Sequence, residues 1–436
     1  MARRRRSPLF LLGSVLLVAS SLRPARAQLL GPEFQVNSYT TGYQSSPAVA
    51  ADNAGSFVVV WASTGQAGGT YPDIFGQRFD PAGLPVGSEF QVNTYTTFAQ
   101  FEPAAAMDGA GGFVVVWTSY AQDGSWEGVF GQRFDPAGLP VGGEFQVNSY
   151  SHSQQFTPAV AADGVGNFVV VWAGLYQDGN LSGIFGQRFD SAGQPAGSEF
   201  QVNTHTTNAQ VAPALAVDGS GGFVVTWESN LQDGSGEGIF GRRFDSAGVP
   251  LGGEFQINSH TTFGQQSPAV SASVAGEFVV VWTSDLQDGW GVGVFGQRFD
   301  SAGLPVGGEF QVNSHTTGTQ WFPAVRVDEA GRFVVVWSSE NQDGSDFGVF
   351  GQRFDADGTS MGSELQVNSY TTSNQHFPAV TAGGPGDFVV VWHSYGQDGS
   401  YDAVIARQMQ RFLAFSDGFE QGDACAWSAA VGGGCP

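Results

Sequence analysis

The chain has 436 residues, 40 of them acidic against 17 basic, and every basic one is an arginine, giving a formal charge of −23. A surface so negative repels nucleic acid and anionic lipid and favours cations or basic partners. Only two cysteines are present, Cys425 and Cys435 near the C-terminal end. They cannot staple the main fold, which packing and hydrogen bonding must therefore hold.

The chain opens with arginines at positions 3–6, an apolar run from Pro8 to Ala19, and small residues at Ala25 and Ala27. That order is the pattern of an export signal over residues 1–27. The run falls short of the ~20 apolar residues a membrane helix needs, and no later stretch reaches that length. The expected mature protein is soluble, without a transmembrane segment, and secreted, periplasmic or on the cell surface.

Residues 28–412 are dominated by a repeat. Its tryptophans are Trp61, Trp117, Trp172, Trp227, Trp282, Trp337 and Trp392, spaced by 56 residues once and by 55 thereafter. Ahead of the first complete unit stands a lone Glu33–Asn37, EFQVN. Each unit holds four strand-like runs bounded by turn residues. In the second they are Pro103–Asp108, Phe113–Trp117, Val129–Phe134 and Glu144–Asn148. The first is built of small residues, which suits a crowded axis. The second is apolar on both faces and must be covered on both. The fourth alternates, with Phe145 and Val147 on one face, and so predicts a half-exposed outer strand. Such a unit is one blade of a β-propeller.

The expected fold is all-β: a seven-bladed β-propeller with four antiparallel strands per blade. A solenoid would need distinct capping units. Here the seventh unit stops after its third strand, and the orphan EFQVN supplies the missing fourth. Pairing the two closes the ring and removes both open edges. Asp-x-x-Gly joins the first and second strands, as at Asp108–Gly111, and Asp-x-x-Gly joins the third and fourth, as at Asp135–Gly138. Both are tight turns and fall on one face. The long polar loops fall on the other, where function is expected.

The phrases FVVVW, QDGS, FGQRFD and EFQVN resemble a group of repeats in secreted bacterial proteins, many of which also carry calcium-binding or adhesion-type modules. The resemblance covers about residues 31–412. It implies an exported, propeller-like protein and lends no activity or functional residues. Residues 413–436 are expected to form a separate tail. Phe415–Asp423 with Trp427 and Ser428 is similar to a C-terminal segment of secreted bacterial proteins, which implies sorting or anchoring.

Six Gln-Asp-Gly loops carry Asp123, Asp178, Asp233, Asp288, Asp343 and Asp398. They are the candidate metal ligands, with Ca2+ the one candidate cofactor, since calcium takes six to eight oxygens. Loop-shaping by Asp-Gly is the alternative and the preferred reading. Arg78, Arg133, Arg188, Arg243, Arg298 and Arg353 recur in the third strand; ion pairs with the glutamate of EFQVN are expected there, an anion-binding ring being the alternative. His205, His260 and His315 replace a tyrosine, while His376 and His393 are peculiar to the last unit. No Gly-x-Ser-x-Gly, His-Glu-x-x-His or phosphate loop is present. Near-identical units repeat one group around a ring, whereas a catalytic site needs unlike groups converging. The expectation is therefore no enzyme: a monomeric binding or adhesion propeller recognising an extracellular glycan or protein through its long loops. The alternatives are a glycan-active hydrolase or lyase with acids in the central funnel, and a structural envelope protein.

Overall fold

The computed structural model describes residues 30–384 and 387–409. The segments 1–27 and 413–436, with Cys425 and Cys435, lie outside them. Twenty-eight strands form seven four-stranded sheets, and no helix is present among the described residues. In the second blade the strands run Gln100–Met107, Phe113–Tyr120, Glu127–Phe134 and Pro140–Gln146, each antiparallel to the last. The chain is a seven-bladed β-propeller.

Closure occurs as the sequence predicts. Leu30–Gln35 pairs antiparallel with Asp402–Met409, setting Glu33 opposite Arg407 and Gln35 opposite Ile405. Asn37 adds a clip: its side-chain oxygen accepts Val404 N–H at 2.8 Å. The asparagine of every EFQVN phrase does the same within its own blade, as Asn148 does for Val129 N–H at 2.8 Å. The seven inner strands touch their neighbours in an unbroken ring around the axis.

Blades adhere through the alternating faces of FVVVW. The tryptophan that ends this phrase is fully buried in every blade. Val115 and Trp117 of the second blade pack with Val58 and Val60 of the first, and Trp61 packs with Val389 and Val391 of the seventh. Burying such a side chain stabilises by ~1.5–3 kcal/mol, so the seam, repeated seven times, replaces disulfides. The glycine of FGQRF has a steric reason. A β-carbon on Gly131 would meet the Phe145 ring at 2.8 Å.

The third-strand arginines correct an expectation. Arg133 donates to the Ala192 carbonyl at 2.7 Å and to that of Ser191, both in the next blade's tight turn, not to a glutamate. Arg78 reaches the carbonyls of Pro136 and Ala137 in the same way. A backbone carbonyl suffices because the turn presents it where the arginine emerges from the seam. In the seventh blade Gln408 takes over, donating to the Pro81 carbonyl at 3.0 Å. The glutamates act on the other face, where Glu144 accepts Thr94 N–H at 2.7 Å and the Gln122 amide.

Candidate functional site: a bulged rim at the loop-face mouth

Every inner strand begins Gln-x-x-Pro, and the residue before the proline has a positive φ. These residues are Ser46 (51°), Glu102 (52°), Thr157 (50°), Ala212 (49°), Ser267 (53°), Phe322 (54°) and Phe377 (50°). Pairing with the second strand skips at that point, for example between Phe101 and Ala104. The proline disfavours the right-handed helical region for its predecessor. A non-glycine residue held at positive φ costs ~1–3 kcal/mol, strain that clusters at functional sites, and a bulge re-aims the side chain beside it. The inner strands therefore begin three residues earlier than the sequence suggests. Seven re-aimed side chains ring the mouth.

That rim is where the repeat stops repeating. The residue after each buried tryptophan, paired across from the bulge, reads Ala62, Thr118, Ala173, Glu228, Thr283, Ser338 and His393. The first residue of the third strand reads Pro72, Glu127, Ser182, Glu237, Val292, Phe347 and Asp402. Unlike groups thus converge along particular seams.

The seam between the fourth and fifth blades is acidic. A Glu228 oxygen accepts the bulge N–H of Ser267 at 2.6 Å. Burial pushes its carboxyl up to about 7, and the charge of Glu237 adds to the rise. The oxygens of Glu237 accept the side-chain amides of Asn230 and Gln266, each at 3.2 Å. Burial also raises Asp285, again with Glu237 contributing. Gly264 makes room for both. A β-carbon there would meet Glu237 Oε2 at 2.9 Å and Asp285 Oδ2 at 3.2 Å. A second acidic seam joins the second and third blades. Burial raises Glu102, which accepts Thr157 N–H at 3.1 Å, and raises Glu127 beside it.

Next round the ring, the sixth and seventh blades carry aromatics. Phe322 and Phe377, both bulge residues, lie 4.1 Å apart by ring centroids, and Trp321 meets Phe322 edge-on at 5.8 Å. Trp321 and Phe377 are about two-fifths exposed, at 41% and 42%. His376 and His393 pair directly across the strands with centroids 5.8 Å apart. Burial drives His393 down to about 3 and lowers His376 as well, so both rings are neutral at ordinary pH.

The six loop aspartates lie on the same face, farther out. Asp123 accepts Ser125 N–H at 2.9 Å and the Gln146 amide at 3.3 Å. Asp178, Asp233, Asp288, Asp343 and Asp398 each accept the N–H two residues on. Among the described residues no three His, Cys, Asp or Glu side chains gather as a metal would require. Sequence reasoning singled out His376 and His393 but missed Glu228, Asp285 and the bulge aromatics. Alignment on the tryptophans exposes them as the columns that vary.

No family model matches the chain, and no curated protein matches it. Solved structures share its fold. A protein of unknown function from Dyadobacter fermentans has a TM-score of 0.54 at 9% identity, covering 89% of this chain and 100% of its own. An alpha-L-arabinanase from Penicillium chrysogenum, complexed with arabinobiose, has a TM-score of 0.50 at 14% identity, covering 75% and 99%. A sialidase from Streptococcus pneumoniae reaches 0.48 at 10%, covering 86% and 70%. The expectation of a non-enzyme is overturned. The arabinanase is an enzyme of this fold, and the premise that near-identical units repeat one group around the ring fails at the rim. No helix among the described residues is long and apolar enough to cross a membrane.

Proposed function

We propose that the chain is a glycan-active hydrolase working in the loop-face funnel, with the acids between the fourth and fifth blades as its catalytic groups. The observation that carries this reading is the convergence of Glu228, Glu237 and Asp285 at one seam, with Glu228 raised to about 7 by burial. Glycoside hydrolysis needs two carboxyl groups whose environments differ, one to protonate the leaving oxygen and one to act as base or nucleophile. Glu228 is the proton donor: near pH 7 it holds its proton half the time and gives it up readily. Glu237, fixed by two amide donors, is the partner carboxylate. On the next two blades round the mouth, exposed Trp321 and Phe377 offer apolar faces on which sugar rings can stack. The neutral histidines behind them leave that shelf uncharged. The arabinanase of the same fold, crystallised with arabinobiose, supports a glycan as substrate. Residues 1–27, read as an export signal, fit a polysaccharide outside the cell.

The test is release of reducing ends from a panel of neutral and acidic polysaccharides, arabinan among them. Wild type should release ends from at least one, and Glu228→Gln should lose ~10²–10⁴-fold in kcat. Turnover unchanged in Glu228→Gln, or no release from any polysaccharide, overturns the assignment.

A further inference from the structure

Deeper in the channel one residue departs from the repeat without belonging to the rim. On the inner strands, the register that pairs with the second residue of FVVVW holds Ala50, Ala106, Ala161, Ala216, Ser271 and Thr381 in six blades. In the sixth it holds Arg326, opposite Val334. Its neighbours Val325 and Val327 are buried, yet Arg326 is exposed. The inner strands form the innermost ring of the molecule, so the solvent reaching this side chain is that of the central channel. Arg326 lies four residues past the Phe322 bulge, roughly 13 Å further down the strand toward the tight-turn face.

Arginines elsewhere in the strands are engaged. Arg133 and Arg78 hold turn carbonyls of the next blade, Arg242 donates to the Val202 carbonyl at 2.8 Å, and Arg407 donates to the Gly31 carbonyl at 2.7 Å. Arg326 has neither a hydrogen bond nor an ion pair among the described residues; the ion pair of its own blade joins Arg332 to Asp328. Water reaches the guanidinium, yet the channel walls enclose it, and the desolvation they impose lowers its pKa with no carboxylate pulling the other way. A cation open to the channel and without a carboxylate partner is free to take up an anion from outside. Hydroxyls flank it. Ser271 and Thr381 occupy the same register in the adjoining blades, and Ser271 Oγ accepts Val327 N–H at 3.1 Å, which leaves its own proton free to donate.

We propose that Arg326, with the hydroxyls of Ser271 and Thr381, forms an oxyanion site in the central channel. The planar guanidinium suits a group with two oxygens, a carboxylate or a phosphate. The site is separate from the acidic seam and does not depend on the hydrolase reading. Its ligand comes either from an acidic sugar or from a free inorganic anion.

Calorimetric titration of the full chain with glucuronate, glucose and inorganic phosphate at fixed ionic strength tests it. Glucuronate or phosphate should bind and glucose should not. Glucuronate alone identifies the sugar carboxylate as the source, and phosphate binding identifies the free oxyanion; either sustains the site. Arg326→Ala should weaken binding at least ~10-fold, while Arg326→Lys keeps part of it. Alanine already stands at this register in four other blades, so the variant should fold, which its melting curve checks. Glu228→Gln should bind as wild type does, so a failed hydrolysis assay leaves this test intact. The proposal falls if neither anion binds, or if Arg326→Ala binds as tightly as wild type.

Discussion

Glu228 shows how a single substitution within a repeat acquires chemistry. At its position the other blades carry alanine, threonine, serine or histidine, all of which tolerate a buried seam uncharged. A carboxyl there must either hold its proton or pay for desolvation, and burial raises it from 4.5 to about 7. An acid whose folded pKa lies above its unfolded value supports the fold fully below pH 4.5, and that support is lost as the pH climbs through 7. The difference corresponds to roughly 3 kcal/mol by pH 8. Glu228→Gln should therefore raise stability at pH 8 by up to that amount relative to wild type, and by little at pH 4.5. Urea denaturation at the two pH values measures it. An equal effect at both would mean that the folded carboxyl titrates normally. Asp402, raised to about 6 by burial and by Asp398, should give a weaker effect of the same sign.

At the scale of the strand, the repeat divides its labour between two ends. The tight-turn end is uniform because it carries the staples. Arg133→Ala removes two hydrogen bonds to the next blade's carbonyls. Loss of stability by ~1–3 kcal/mol is expected, read as a lower urea midpoint at unchanged slope; an unchanged midpoint would mean the staples are incidental. The loop end is strained and variable. Strand type and order were legible in the sequence because apolar patterning and Asp-x-x-Gly turns are local signals. The bulge was not. Gln-x-x-Pro carries no periodicity, and whether the residue before proline turns left-handed depends on its pairing with the second strand. The arginine's partner was illegible for a similar reason: the carbonyl it holds lies about one repeat away in sequence and comes close only once two blades pack.

For the whole molecule, closure is the decisive element. The first strand brings Phe34 against Phe79 of the first blade at 5.5 Å and buries Val36 in the seam between first and last blades. Deleting residues 28–38 should cost about 3 kcal/mol or more from those two side chains alone and should bare the edge of Asp402–Met409. The melting temperature should fall, and the freed edge should promote dimers, visible by light scattering. A deletion variant that melts like wild type as a monomer would show that the ring does not need its clasp.

The sequence by itself determined the blade count, the four-strand blade, the two unlike faces and the clasp, because each rests on short-range patterning repeated seven times. Tertiary structure alone decided which variable positions meet. Glu228, Glu237, Asp285 and Gly264 come from two blades and three separate stretches of chain, and the Trp321–Phe322–Phe377 shelf likewise spans two. A column of changing letters gives no direction. The bulge sets that direction, the seam desolvates what points into it, and the two together turn ordinary substitutions in a repeat into a site with its own electrostatics.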